Sequence, residues 1–305
     1  MKDVVLSMDL GGTNARFGAV LRNGEIVTRH RIKTPKTDSV DEFMDAVAGG
    51  YHAVARMAAA EINKVAAAIP ATVGERTKFL SKLPNLPVLE GVDFTSELAR
   101  RVDATVTLEN DATAATTGEH WLGASMGVET VVGVTLGTGI GGGIFVNGSL
   151  FRGKDGSAGE IGHICVEPLG HQCGCGSNGC VERYASGTAI LQMAISEGLN
   201  VTAAIDVYNM ALAGDRSAIR IFDEAGKYLG IVLAGIINFL NPDMIVIGGG
   251  VSASWELLIG PIQSEIRKRA YPEPAKRAKV VRAKLGDDAG ILGAAKAAFD
   301  QAMPY

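Results

Sequence analysis

A chain of 305 residues, nearly half of them hydrophobic, can bury a large core and divide into two lobes. A formal charge of −4 with no basic run excludes a general affinity for nucleic acid or an anionic membrane surface. The longest apolar stretch, residues 228–240, is too short to span a bilayer and fits a buried helix.

In chain order, residues 4–10 read as a buried strand, and 15–21 and 25–33 as the next two, joined by a turn at Asn23-Gly24. Ser39 and Glu42 have capping-box spacing and open a helix to about residue 60. A strand over 64–69 stops at Pro70, a strand over 105–109 follows, and Asp111 starts an Ala-rich helix to about 122. The second half repeats the theme. Strands over 130–136 and 143–146 flank a glycine run, and helices cover 187–197, 201–213 and 216–240. A short buried strand over 244–247, a helix over 254–269, a strand over 279–283 and a closing helix over 289–301 complete the chain. The lobe boundary is placed near residue 112. Residues 1–112 plus 289–305 form a small lobe, and 113–288 form a large lobe.

The segment Glu160-Ile-Gly-His163, followed by Cys173-Gly-Cys175-Gly-Ser-Asn-Gly-Cys180-Val-Glu182, carries the clearest chemistry. One imidazole nitrogen and three thiolates make the closed tetrahedral shell of a structural Zn²⁺ site, so the metal shapes the loop and leaves the chemistry to other groups. Gly174, Gly176 and Gly179 let the loop fold its sulfurs back onto one point. A disulfide is the alternative, but Cys173 and Cys175 are too close to pair comfortably. No secretory signal precedes the first strand, and four cysteines in 305 residues suit a reducing, cytoplasmic compartment. His171 rivals His163 as fourth ligand, and Cys165, in an Ile-Cys-Val run, is expected in the core.

Glycine clusters imply backbone lying close to a ligand. Asp9-Leu-Gly11-Gly12-Thr13-Asn14, between two strands, can present N–H groups and a hydroxyl to phosphate, with Asp9 placed to hold Mg²⁺ through water. An ordinary hairpin turn is the alternative. Leu136-Gly137-Thr138-Gly139-Ile140-Gly141-Gly142-Gly143 contains GxGxxG, but a strand follows it where a dinucleotide site needs a helix, so NAD is rejected. The third loop, Gly248-Gly249-Gly250, is expected against the adenosine.

These motifs, in this order over the full length, resemble the ROK family (repressor, open reading frame, kinase). Asp9-Leu-Gly-Gly-Thr matches its first phosphate motif, Glu109-Asn110-Asp111-Ala112 its catalytic segment, and Leu136–Gly143 continuing through Gly156–His163 its signature. Cys173–Glu182 matches its zinc motif. The resemblance implies an α/β actin-like ATPase (ribonuclease H-like) fold, with two lobes and a central cleft. Sugar would lie in the cleft, and ATP mainly on the large lobe. It implies a homodimer and ATP-dependent phosphorylation of a hexose, glucose to glucose 6-phosphate foremost. Allose, N-acetylmannosamine, N-acetylglucosamine and fructose are the alternative acceptors. A non-catalytic sugar-responsive regulator is the other branch. Only eight residues precede Asp9, too few for a helix-turn-helix.

Carried over residue by residue, Asp111 is the catalytic base. Asn85, Asn110, Asp111, Glu160, His163 and Glu182 hold the sugar, with one His163 nitrogen on zinc and the other toward sugar. A helix N-cap is the alternative role for Asp111. One departure is Pro70-Ala71, where the family commonly has Pro-Gly; the added methyl is expected to narrow the sugar pocket.

Overall fold

The chain opens with three strands, β1 (Val4–Leu10), β2 (Asn14–Leu21) and β3 (Ile26–Lys33). Then come α1 (Val40–Ala58), β4 (Lys64–Ile69), α2 (Phe94–Val102), β5 (Thr105–Asn110) and α3 (Asp111–Leu122). The second half runs β6 (Val131–Leu136), β7 (Ile140–Val146), β8 (Ser149–Leu150), α4 (Glu182–Ala185), α5 (Gly187–Ser196), α6 (Ala204–Leu212) and α7 (Arg216–Leu240). It closes with β9 (Met244–Gly248), α8 (Trp255–Arg269), α9 (Pro272–Arg277), β10 (Lys279–Arg282) and α10 (Ala289–Gln301). This computed structural model describes residues 4–73, 80, 83 and 85–301.

The described strands form two five-stranded sheets of one topology, β3-β2-β1-β4-β5 and β8-β7-β6-β9-β10. In the first, β1 is antiparallel to β2 and parallel to β4, which is parallel to β5. In the second, β6 is antiparallel to β7 and parallel to β9, which is parallel to β10. Asp9 is in register with Ala68, and Ala68 with Glu109, so Asp9 and Glu109 share a row at the carboxyl edge of the first sheet. Thr135 is in register with Gly248, which brings the second and third glycine loops together at the carboxyl edge of the other sheet. In open α/β sheets that edge is where ligands bind.

The chain divides into two compact units. One holds residues up to Gly127, Leu150–Ala158, and Leu285 onward; the other holds Val128–Ser149 and Gly159–Lys284. The division expected near residue 112 falls inside the first unit, because α3 packs along α10. A Cβ on Gly118 would lie 2.3 Å from the Ala289 carbonyl oxygen, and one on Gly293 would lie 1.7 Å from that of Ala114. On the other face of this sheet α1 buries Phe43, Met44, Val47, Tyr51 and Val54, and the Tyr51 hydroxyl donates to the Ala66 carbonyl at 2.6 Å. In the second unit α7 buries Ile221, Phe222, Leu229, Leu233 and Ile237 in one cluster with Val132, Val134, Ile245 and Ile247 of the sheet.

Four sequence expectations shift. Strand β7 begins at Ile140, so Gly141–Gly143 are ladder residues and not loop. Gly142 is there because two backbones press on it: its Cβ would sit 2.8 Å from the Gly159 oxygen and 2.9 Å from that of Gly133. The helix expected over 201–213 is shorter, with the Asp206 carboxylate accepting the N–H groups of Thr202 and Ala203 ahead of it. Helix α2 went unanticipated; Asp93 caps it by accepting the Ser96 N–H at 3.0 Å. Cys165, expected in the core, is exposed, although its backbone forms an isolated antiparallel bridge with that of the buried Cys180.

Candidate active site

Asn110 ends β5 and caps α3. Its Oδ1 accepts the Thr113 N–H at 2.9 Å, and its Nδ2 donates to the Ala71 carbonyl at 3.1 Å. The cap is therefore Asn110, which removes capping as the explanation for Asp111. The Asp111 carboxylate sits in the first helical turn, where Oδ1 accepts the Ala112 N–H at 2.8 Å. Ala71 is buried in the same hydrophobic cluster as Leu80, Leu83 and Leu86, and its carbonyl is the acceptor that holds the Asn110 amide. Of the Leu83-Pro84-Asn85 contact, Pro84 lies outside the described residues. Asn85 is exposed beside the first glycine turn, where a Cβ on Gly12 would meet the Asn85 Cβ at 3.2 Å.

That turn is a hairpin between β1 and β2, with Gly11 N–H donating to the Asn14 oxygen at 3.0 Å and Thr34 holding the Gly11 and Thr13 carbonyls. Gly11 is half-buried; Gly12 and Thr13 lie at the surface or close to it. Asp9, at the end of β1, pairs with Arg16 at 3.4 Å, and Arg16 also reaches Asp287 at 3.1 Å. Burial raises the Asp9 carboxyl above its ordinary value, against the lowering pull of Arg16.

One pair was invisible in the sequence. Glu109, with a side chain only 2% exposed, receives both guanidinium nitrogens of Arg152, at 2.8 and 2.5 Å. Its Oε1 also accepts the Asn110 N–H at 3.0 Å. The chain between Arg152 and Gly159 is thereby tied to the residue that caps α3.

In the second unit, the side-chain donor atoms of His163, Cys173, Cys175 and Cys180 all lie within 4.8 Å of one another. Cys173 Sγ is 3.6 Å from His163 Nδ1, and Cys175 Sγ is 3.6 Å from Cys180 Sγ. Zinc bonds of ~2.0–2.3 Å at tetrahedral angles give edges of about 3.5–3.8 Å, which these two separations match, and four donors within 4.8 Å are compatible with a zinc ion. Burial, then hydrogen bonds with Cys175 and Cys173, push the Cys180 thiol up to about 12, while a backbone hydrogen bond at Ser177 lowers Cys175. A dication would supply the charge that lets these crowded sulfurs ionise together. Nδ1 of His163 faces the sulfurs, and Nε2 lies 3.9 Å from Glu160. His171 is elsewhere: its ring stacks on Tyr184 at 5.3 Å, and its N–H donates to the Tyr184 hydroxyl.

Glu182, two residues past Cys180, accepts the Ile140 N–H at 2.8 Å. Gly139 must be glycine for that contact, since a Cβ there would meet the Glu182 carboxylate at 2.2 Å. Nearby opens a cavity of about 540 Å³ lined by Gly137, Thr138, Thr188, Tyr208, Phe222 and Gly250 among others. Of the third loop, Gly250 lines this cavity. Gly248 belongs to β9, and Gly249, at φ +82°, lets the chain pass 2.4 Å (for an added Cβ) from the Leu136 oxygen.

Two sheets of one topology, with acids at the carboxyl edge of one and glycine loops at that of the other, define a protein of the actin-like ATPase fold. The solved ROK family glucokinase of Streptomyces griseus, in complex with glucose and AMPPNP, superposes at a TM-score of 0.84 with 31% identity, covering 97% of this chain and 99% of that chain. A glucokinase of Thermotoga maritima is 35% identical over 306 residues, 95% of this chain and 96% of its own length. An N-acetyl-D-glucosamine kinase of Photobacterium profundum is 33% identical over 298 residues, 94% and 96% of the two lengths. The ROK family model matches residues 5–301, and the chain belongs to that family.

Proposed function

We propose that the protein is an ATP-dependent hexose kinase that transfers the γ-phosphoryl group to glucose, giving glucose 6-phosphate. The observation that carries this is the placement of Asp111. It lies at the carboxyl edge of a parallel sheet, on a helix whose cap is a different residue. The likeness to glucokinases over nearly the whole chain supports the choice of acceptor.

In this reading the attacking sugar hydroxyl gives its proton to Asp111, and phosphoryl transfer otherwise depends on positioning and charge neutralisation. Asn85, Asn110, Glu160, His163 and Glu182 hold the other hydroxyls. Mg²⁺, held through water by Asp9, would supply positive charge at the phosphates. Gly11, Gly12, Thr13, Asn14, Gly137, Thr138, Gly139 and Gly248–Gly250 form the nucleotide loops, as the cavity beside Gly137 and Gly250 supports. Zinc, held by His163, Cys173, Cys175 and Cys180, would fix the loop that carries Glu160 and Glu182. A homodimer in the cytoplasm completes the reading; the clustered free thiols suit a reducing compartment. Among the described residues no helix is long and apolar enough to cross a membrane.

ADP release measured at saturating Mg-ATP against glucose, mannose, allose, fructose, N-acetylglucosamine and N-acetylmannosamine tests this. Glucose is expected to give the highest kcat/KM. A higher value for an N-acetylhexosamine would overturn the choice of sugar, and no ADP release with any of them would overturn the kinase.

A further inference from the structure

The loop Gly137-Thr138-Gly139 is gripped from one side by a single short stretch of chain. The Gly137 carbonyl accepts the Gly187 N–H at 2.8 Å. The Thr138 carbonyl accepts the Thr188 hydroxyl at 2.8 Å. The Ile140 N–H, where the loop enters β7, donates to Glu182 at 2.8 Å. All three grips come from residues 182–188, and this stretch begins two residues after Cys180, with Arg183 N–H bonded back to the Cys180 carbonyl at 2.9 Å.

The grip has a directional consequence. In a planar trans peptide the N–H points opposite to the C=O of the same unit. Turning the Gly137 and Thr138 carbonyls toward residues 187 and 188 turns the Thr138 and Gly139 N–H groups away from them. An added Cβ at Gly137 would meet nothing within 4 Å, so the loop is open there. N–H groups fixed in this way, on a loop left open at Gly137, suit an anion-binding concavity.

We propose that Glu182 is a positioning residue for the phosphate loop, as well as a sugar contact. Its carboxylate fixes the exit of the loop through Ile140, so nucleotide affinity depends on Glu182 even when no sugar is present. This rests on the reading of residues 137–139 as a nucleotide loop. The conformation of Gly139 agrees, because it is not left-handed, so an alanine would be tolerated by the backbone itself; the Glu182 carboxylate is what excludes a side chain. Charge alone predicts the reverse, since removing a carboxylate near a polyphosphate should tighten binding.

Three variants separate position from charge: E182Q keeps an acceptor at the right reach without charge, E182D keeps charge but is one methylene short, and E182A lacks both. Calorimetric titration with Mg-AMPPNP, without sugar, gives the dissociation constants, with zinc content and Tm measured alongside. E182Q is expected within about threefold of wild type. E182D and E182A are expected about tenfold weaker or more, the loss that follows when an N–H forfeits a charged acceptor. E182A equal to or tighter than wild type, or E182Q as weak as E182A, overturns the inference. Should E182A lose its zinc, E182D decides alone. Wild-type protein that fails to bind AMPPNP overturns the nucleotide reading and this inference with it, whereas tight binding unaffected by E182D overturns the inference only.

Discussion

Asp111→Asn is the sharpest test of the proposed chemistry, because the structure predicts that it leaves the fold nearly untouched. The α3 cap belongs to Asn110, whose bond to Thr113 does not involve residue 111. The asparagine keeps an oxygen for the Ala112 N–H that Asp111 now accepts at 2.8 Å. At the helix end, one negative charge in the first turn is lost, worth ~0.3–1 kcal/mol. At about 2–4 °C per kcal/mol for a protein of ~150–250 residues, and less for a longer one, Tm should fall by no more than a few degrees. Catalysis should respond on another scale. An amide cannot take the hydroxyl proton, and loss of a general base costs ~10²–10⁴ in rate, about 2.7–5.4 kcal/mol of barrier. A coupled ADP assay with glucose gives kcat, differential scanning fluorimetry gives Tm, and calorimetry gives glucose affinity, expected within a few-fold of wild type. A folded variant that binds glucose and keeps more than about a tenth of wild-type kcat would refute the base assignment, which requires a loss of ~10² or more.

Other outcomes follow from the packing and the ion pairs. Arg152→Met strands the buried Glu109 carboxylate; a loss of about 2–3 kcal/mol is expected, reduced from the fully buried case because Arg152 is 40% exposed. The double variant with Glu109→Gln should recover most of the Tm, and failure to recover would show the pair is not what Arg152 serves. Gly293→Ala should destabilise by ~1–3 kcal/mol, because its Cβ would fall 1.7 Å from the Ala114 oxygen and the helices must part. Gly49→Ala in α1, where nothing lies within 4 Å, should instead stabilise by ~0.5–1 kcal/mol, and thermal melts of the pair with the same sign would contradict this account. Elemental analysis should find one zinc per chain, and stripping it with a strong chelator should raise the KM for glucose together with a lower Tm. Protein purified without chelator that holds no zinc would end the metal assignment.

The grouping of His163, Cys173, Cys175 and Cys180 was legible because these residues are close in sequence and chemically unlike anything a core needs. Element types were legible for the same local reason: residues 40–58 and 216–240 carry helical apolar spacing and residues 4–10 do not. What escaped depends on contacts made across long sequence separations. Asn110 and Asp111 are adjacent and cap equally well, so only the geometry tells which of them bonds Thr113. Glu109 and Arg152 are 43 residues apart, and nothing local marks either as a partner of the other. Cys165 misled through its apolar neighbours: it is exposed, although its backbone bridges that of the buried Cys180. The glycine clusters misled in part, since Gly142, Gly159 and Gly162 are glycine because backbone oxygens lie 2.1–2.8 Å from where a Cβ would be.

The repeated topology explains why these glycines mix two roles. Each sheet sends parallel strands to one carboxyl edge, and residues just beyond that edge are held by the ladder behind them while remaining open in front. In the first unit the residues at or near that edge include acidic and amide side chains, Asp9, Asn110 and Asp111, which suit a hydroxyl proton and a hydrated cation. In the second they are bare backbone, Gly137 and Gly250, where N–H donors can approach an anion without side-chain cover. A glycine two residues further into the sheet, Gly142, instead allows neighbouring segments to close on the ladder. Gly137 and Gly142 are the plainest cases of the two roles. Substitution should divide the same way: Gly142→Ala should lower Tm with little direct effect on AMPPNP affinity, and Gly137→Val should weaken AMPPNP binding with little effect on Tm. The opposite pairing of effects, read by thermal melts and calorimetry on the two variants, would break the argument.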